Sequence, residues 1–220
     1  VWALECSNNK LGALNLSQNT IIEELDCSTN GISTLNLDSN TLLKVLNFSG
    51  NKISSIDLSA NGALTSLNAR SNQLNYKTLP LVKTSYSANY TYDLQANLAA
   101  TCTGGVVDLS AQRTAVDVDG NTQTTEYYWF LANGTYLHKG NDYAERNGVF
   151  YFYKLPRSAV SCTMTNAAFP SLNLRTENIT IDAIVEPNIS FVSENTGSLS
   201  FIANNSQAGK VYVYWGDGVL

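Results

Sequence analysis

The chain has 220 residues, only 14% of them charged, and 13 Lys and Arg against 18 Asp and Glu leave a formal charge of −5. That balance repels a phosphate backbone and argues against nucleic acid as a partner. No apolar run approaches the roughly 18 residues a membrane helix needs, so no membrane insertion is expected of this segment.

Leu4, Leu25, Leu46 and Leu67 stand 21 residues apart, and their neighbours keep step. The same interval links Val1, Ile22, Leu43 and Leu64, then Cys6, Cys27, Phe48 and Ala69. It also links Asn9, Asn30, Asn51 and Asn72, then Leu11, Ile32, Ile53 and Leu74. This fourfold pattern is the signature of a leucine-rich repeat in its shorter form of about 20–29 residues. One coil cannot bury its own apolar side, so coils stack about 4.8 Å apart as parallel strands and share a core. Residues 1–80 are therefore expected to form a solenoid of about four coils with little or no helix. The leucines should lie in register along one spine, and the asparagines should bond backbone groups of their own coil and the next. A weaker half-period joins Leu14-x-Leu16-x-x-Asn19, Leu35-x-Leu37-x-x-Asn40 and Ile56-x-Leu58-x-x-Asn61. It predicts strand-like segments on the opposite face. Val1 falls in mid-repeat without a polar cap, which leads us to expect further residues upstream.

Residues 81–89 read as a linker. From 90 to 185 the leucine period stops and alternating segments replace it. Val106 to Leu109, Glu126 to Leu131, Val149 to Tyr153, Val160 to Met164, Leu172 to Arg175 and Ile179 to Ile184 are candidate strands. Gly104-Gly105, Asp119-Gly120-Asn121, Asn133-Gly134 and Asn147-Gly148 supply turns. Six or seven short strands at this spacing predict an immunoglobulin-like β-sandwich. Period two puts Tyr127, Trp129 and Leu131 on one face and Tyr128 and Phe130 on the other. One of these faces is core, and Trp129 is a structural candidate.

From 186 to 220, Ile189 to Phe191, Ser198 to Ala203 and Lys210 to Trp215 alternate as strands, the last ending in Trp215-Gly216-Asp217-Gly218. Three strands do not close a sandwich. This segment is expected to be the start of a further β module, cut short, rather than strands docked on the preceding domain.

The alternation of Leu25-Asp26-Cys27-Ser28-Thr29-Asn30 with Leu14-Asn15-Leu16-Ser17-Gln18-Asn19 resembles the secreted leucine-rich-repeat surface proteins common in Bacteroidetes. Thr78-Leu79-Pro80-Leu81 and Tyr90-Thr91-Tyr92 resemble that family's exit from the solenoid, and Val107-Asp108-Leu109-Ser110 its entry into an attached sandwich. Cys162-Thr163-Met164-Thr165-Asn166 with Phe169-Pro170-Ser171-Leu172 resembles a late strand of that sandwich. Asp93-Leu94-Gln95 departs from the Ala-Pro-Gln expected there. The Trp-Gly-Asp-Gly turn resembles that of polycystic-kidney-disease-type β-sandwich modules. The resemblance implies export, surface exposure and no established catalytic residues.

Cys6 and Cys27 occupy one stacked core position and read as free buried thiols, because parallel side chains there do not present a disulfide dihedral. Cys102 and Cys162 are either a cross-sheet disulfide or free thiols. With no C-x-x-C pair and one imidazole, His138, neither a zinc site nor a catalytic triad is expected. Glu24 and Asp26 lie close enough for a glycosidase-type pair, but an open surface does not shift carboxylate titration toward catalysis. Asp117-Val118-Asp119-Gly120-Asn121 has calcium-loop oxygens. Its glycine stands at the fourth place and Tyr128 fills the twelfth, so it reads as a hairpin turn. No cofactor, metal or enzymatic activity is expected.

The outward columns of the strand face are Ala3, Glu24, Val45, Ser66; Glu5, Asp26, Asn47, Asn68; and Ser7, Ser28, Ser49, Arg70. Candidate ligand-binding residues are Glu5, Glu24, Asp26, Asn47, Asn68 and Arg70. This patch is on the order of 300 Å², against about 800 Å² per side in a standard interface, so further repeats would have to contribute. The expectation is a non-enzymatic, secreted or cell-surface recognition or adhesion protein that binds a protein partner through the solenoid. Two alternatives are a glycan-binding module whose exposed Tyr128, Tyr151 or Tyr153 stack on sugar rings, and a purely structural stalk.

Overall fold

The computed structural model describes residues 1–185 and, beyond them, the backbone of two paired strands, Ile189–Ser193 and Leu199–Ala203. The strand and turn expected at 210–218 lie outside the described residues. Two compact units divide the chain, Val1–Ile184 and Val185–Leu220. The protein is mainly β with almost no helix: among the described residues the helical pieces are 3-10 turns at Ser87–Asn89 and Ser110–Gln112.

The first unit opens with a parallel sheet of β1 (Ala3–Glu5), β2 (Glu24–Asp26), β3 (Val45–Asn47), β4 (Ser66–Asn68) and β5 (Tyr90–Thr91), in that order. Leu4 pairs with Leu25, Leu25 with Leu46 and Leu46 with Leu67. The spine is in register because only that register buries the same column in every coil; Leu25, Leu46 and Leu67 are buried, as are Cys27, Phe48 and Ala69 above them. Strands of three residues make few ladder bonds, and the asparagines add to them. Asn51 accepts the Ile32 N–H at 3.0 Å and donates to the carbonyls of Cys27 and Phe48 at 3.0 and 2.9 Å. Asn30 and Asn72 repeat this one coil to either side. Just before each asparagine the chain turns through the left-handed region, at Asn8, Thr29, Gly50 and Ser71.

β5 corrects the expected boundary at residue 90. Leu67 pairs with Tyr90 and Asn68 with Thr91, so a fifth rung follows the fourth at 23 residues instead of 21. Every role is refilled at the new interval. Tyr90 and Tyr92 take the buried Leu and Cys positions, and Leu94, with φ of 59°, takes the left-handed one. Gln95 takes the asparagine's place: Oε1 accepts the Leu74 N–H at 3.0 Å and Nε2 donates to Ala69 O at 2.9 Å. Nor are residues 81–89 a free linker, because Tyr86 is buried edge-on against Tyr90, 5.5 Å between centroids, and its hydroxyl bonds Leu81 O. The second face needs correction too. Segments 14–16, 35–37 and 56–58 form no strands. Coil-to-coil bonding there comes from amides, as where Asn40 Nδ2 donates to Leu16 O and Asn19 O and Asn61 Nδ2 to Leu37 O and Asn40 O.

Nine further strands follow: β6 (Cys102–Thr103), β7 (Val106–Asp108), β8 (Thr114–Val116), β9 (Thr122–Leu131), β10 (Tyr143–Arg146), β11 (Val149–Phe152), β12 (Ala159–Asn166), β13 (Leu174–Arg175) and β14 (Ile179–Thr180). One antiparallel sheet runs β10-β11-β7-β6, the other β13-β12-β9-β8, with β14 also paired to β12. Trp129 of β9 is fully buried and meets Phe150 and Phe152 of β11 edge-on, each at 5.1 Å, joining the two sheets. Among the described residues its indole N–H has no hydrogen-bond partner. Gly148, at φ of 81°, is required by space as well as conformation: a Cβ there would lie 2.8 Å from Ser110 Cα.

An aromatic seam ties this two-sheet region to the coil stack. Tyr90 packs on Tyr92 at 4.8 Å, Tyr92 on Phe169 at 5.3 Å and Tyr76 on Phe169 at 6.2 Å. The Tyr76 hydroxyl reaches Met164 O at 2.8 Å, Gln112 Oε1 accepts the Tyr76 N–H, and the Leu98 N–H donates to Arg175 O.

Gln95→Ala leaves the Leu74 N–H and the Ala69 carbonyl of the fourth coil without their Gln95 partner and should lower the unfolding free energy by about 1–3 kcal/mol in urea titration. Leu94→Asn should raise it by about 0.5–1 kcal/mol, since asparagine tolerates the left-handed region and Leu94 is 65% exposed.

Candidate functional site

The strand face carries the candidate residues, and the structure divides them into two kinds. Glu5 and Glu24 are exposed, as is Val45, the register partner of Glu24 on the next rung. Asp26, Asn47 and Asn68 are half-buried and spent on the scaffold. Asp26 Oδ1 accepts the Ser28 N–H at 2.9 Å, which fixes the turn after β2, and its Oδ2 accepts Asn47 Nδ2 at 2.9 Å from the next rung. Asn47 Oδ1 accepts the Ser49 hydroxyl at 2.8 Å, and Asn68 Oδ1 accepts the Thr91 hydroxyl at 2.8 Å. Partial burial alone would raise the Asp26 titration, but the bonds from Ser28 and Asn47 outweigh it and hold the carboxyl below its usual range. Arg70 is held by Asp93 of the fifth rung, Nε to Oδ1 at 2.7 Å and Nη2 to Oδ2 at 2.9 Å. The cation is thereby paired within the scaffold. The fully exposed carboxylates of the face are Glu5 and Glu24.

Thr91 and Asp93 extend the face by one rung, and the sequence reading missed them. Their signal was Tyr90-x-Tyr92-x-x-Gln95, a copy of the repeat with aromatic and longer-amide replacements.

All four cysteines are free. Burial, followed by neighbouring Cys6 and Asp26, pushes the Cys27 thiol up to about 12. Burial also raises the Cys162 thiol, which sits in the core in register with Trp129. Cys102 is elsewhere: its thiol lies 3.1 Å from Asp182 Oδ1, and the Gly105 and Gly104 N–H groups donate to the same carboxylate at 3.0 Å each. These contacts, Gly105 first and then Cys102 and Gly104, lower the Asp182 carboxyl to about 2. The arrangement is a clamp on the turn between β6 and β7.

His138 is exposed and edge-on to Tyr136 at 5.0 Å. The Asp117 carboxylate serves its own hairpin, accepting the Asp119 and Asn121 N–H groups and Gln123 Nε2. Tyr128 lies on β9 and Tyr151 on β11, strands of different sheets. Beside Tyr128, Phe130 and Tyr136 meet at 64° and Tyr136 and His138 at 87°, so this cluster offers no flat platform for a sugar ring.

No protein-family model matches the chain, and no curated protein matches it. Among solved structures it is similar to the functional domain of InlJ from Listeria monocytogenes, described as including a cysteine ladder. The TM-score is 0.53 at 18% identity, over 77% of this chain and 36% of that one. The chain thus spans little more than a third of that structure. The likeness is one of fold, leucine-rich-repeat-like and mainly β. Where that protein is described as carrying a ladder of cysteines, the five rungs here hold Cys6, Cys27, Phe48, Ala69 and Tyr92. Among the described residues no helix is long and apolar enough to cross a membrane.

Asp182 is depressed in the folded chain, so its contribution to stability is full above the unfolded value of about 3.9 and is lost as pH falls through about 2. Thermal midpoints recorded between pH 5 and 2 should fall less steeply in Asp182→Asn than in the parent chain.

Proposed function

We propose that the chain is a leucine-rich-repeat solenoid joined to an immunoglobulin-like β-sandwich and a further β module. In this reading it is a non-enzymatic recognition or adhesion protein, secreted or displayed at the cell surface, that binds a protein partner through the solenoid strand face. The observation that carries the reading is the division of labour on that face. Asp26, Asn47 and Asn68 hold the rungs rigid, while Glu5 and Glu24 stand exposed on two adjacent rungs. A rigid strand face with projecting carboxylates suits a partner that brings Lys or Arg side chains to it. Five rungs instead of four enlarge the patch by about a quarter, still below the roughly 800 Å² of a standard interface. The partner must therefore also touch surface outside these three columns. The fold likeness to InlJ supports the solenoid part of this reading. A sandwich-borne glycan site has less support, because the rings beside Tyr128 are edge-on and Tyr151 belongs to another sheet.

The test is capture of a ligand from host-cell or neighbouring-cell surface extracts on the immobilised chain. Glu5→Lys with Glu24→Lys should weaken capture by about tenfold or more while leaving the thermal midpoint unchanged; Asp26 is kept intact because it supports the scaffold. Capture indifferent to the double change sinks the strand-face assignment.

A further inference from the structure

β8 is an outer strand of its sheet, paired with β9 on one side and open on the other. The register fixes which of its backbone groups face outward. Ala115 pairs with Gln123, the Thr125 N–H donates to Arg113 O, and the Asp117 N–H donates to Asn121 O. In an antiparallel ladder, residues that exchange bonds with the neighbouring strand alternate with residues that do not. Arg113, Ala115 and Asp117 therefore turn their backbone groups toward β9, and Thr114 and Val116 turn theirs away from it. Among the described residues no bond from outside the ladder reaches the backbone of Thr114 or Val116. Both residues are exposed, as is Val118 beside them.

Other outer strands are covered. Beside β13 the Leu98 N–H donates to Arg175 O and the Glu177 N–H to Leu98 O, and at β10 the Gly140 N–H donates to Tyr143 O. β8 has no such cover, and residues 113–118, Arg-Thr-Ala-Val-Asp-Val, contain neither the Pro nor the Lys that blunts an open edge. An unpaired row of this kind is a template for another strand.

The row is complementary to itself. When a second β8 lies antiparallel to the first about a twofold axis at Ala115, Thr114 faces Val116 of the second copy and Val116 faces Thr114 of the second copy. These are the outward-pointing residues, so each pair exchanges two N–H···O=C bonds. Arg113 and Asp117 stand two residues to either side of Ala115, and the same axis sets each opposite the other's counterpart. Arg113 is exposed and makes no ion pair among the described residues; its charge is felt at Glu145, which Lys139 already holds. Asp117 is fixed by its hairpin, so the carboxylate is in place before the guanidinium reaches it. We propose that β8 pairs with β8 of a second copy of this chain, joining the two sheets edge to edge. A strand this short buries less than the roughly 1,200 Å² of a standard interface, so the pair is weak and forms with rising concentration. This inference is independent of the strand-face reading.

Sedimentation velocity of the 220-residue chain, from micromolar to millimolar concentration, should show monomer passing to dimer. Val116→Pro removes an outward donor that serves no bond within the chain, at an edge position where proline is tolerated. Arg113→Glu, at an exposed position, sets like charges opposite Asp117 of the second copy. Each should weaken dimerisation about tenfold or more, and Arg113→Glu should keep the thermal midpoint of the dilute chain. Glu5→Lys with Glu24→Lys should leave dimerisation unchanged. Ala115→Cys, whose α-carbon would lie about 4.5 Å from that of the second copy, should give a disulfide-linked dimer with oxidised glutathione where the parent chain gives none. The Thr114 and Val116 amides should exchange hydrogen quickly in dilute solution and slowly in the dimer. The proposal is overturned if the chain stays monomeric at every concentration, if both variants dimerise as the parent does, or if the two amides are already protected in the monomer, the result expected if residues beyond 185 cover the edge.

Discussion

Asn30, Asn51 and Asn72 each hydrogen-bond two coils at once, accepting from the coil before and donating to both. Three-residue strands leave most of each coil's backbone outside any ladder, and a turn buried without partners would be costly. The amide meets those groups, and it does so only if the residue before it swings through the left-handed region. Position 29 is therefore left-handed although threonine is poorly suited to it, and position 50 is glycine. Turn conformation follows from where one amide has to sit, and the same amide reinforces the register that burial of the leucine column sets.

The same constraint explains what the sequence disclosed and what it hid. Four rungs were legible because leucine, thiol or aromatic, and asparagine recur at one fixed interval, and an interval is visible without any structure. The fifth was hidden because two extra residues broke the interval while Tyr90, Tyr92 and Gln95 changed the identities. Packing tolerates those changes: the longer Gln95 side chain reaches the acceptors an asparagine would have reached. The half-period misled in the other direction. Leu14, Leu35 and Ile56 recur as strand residues do, yet amide bonds replace the ladder there, and periodicity reports burial rather than backbone pairing.

The candidate site was legible by position and less so by role. Alternation places Glu5, Glu24, Asp26, Asn47 and Asn68 on the strand face, but no spacing rule separates a carboxylate spent on the next rung from one left in solvent. Arg70 looked like an isolated cation at the end of the face. Its partner, Asp93, belongs to the rung that the interval had concealed. Cys102 and Cys162 were equally ambiguous in sequence, and the distinction came from Asp182, eighty residues along the chain from Cys102, which gathers the thiol and two backbone donors into one clamp.

The aromatic seam has a mechanical meaning. Tyr90 and Tyr92 are rungs of the stack and, through Phe169 and Tyr76, part of the core beneath β12. Tension applied between the first coil and Ile184 reaches the two-sheet region through these rings, so the last rung of the stack is a seated end and not a free one. Coils at the opposite end are held only by their neighbours, and they are the ones that yield first.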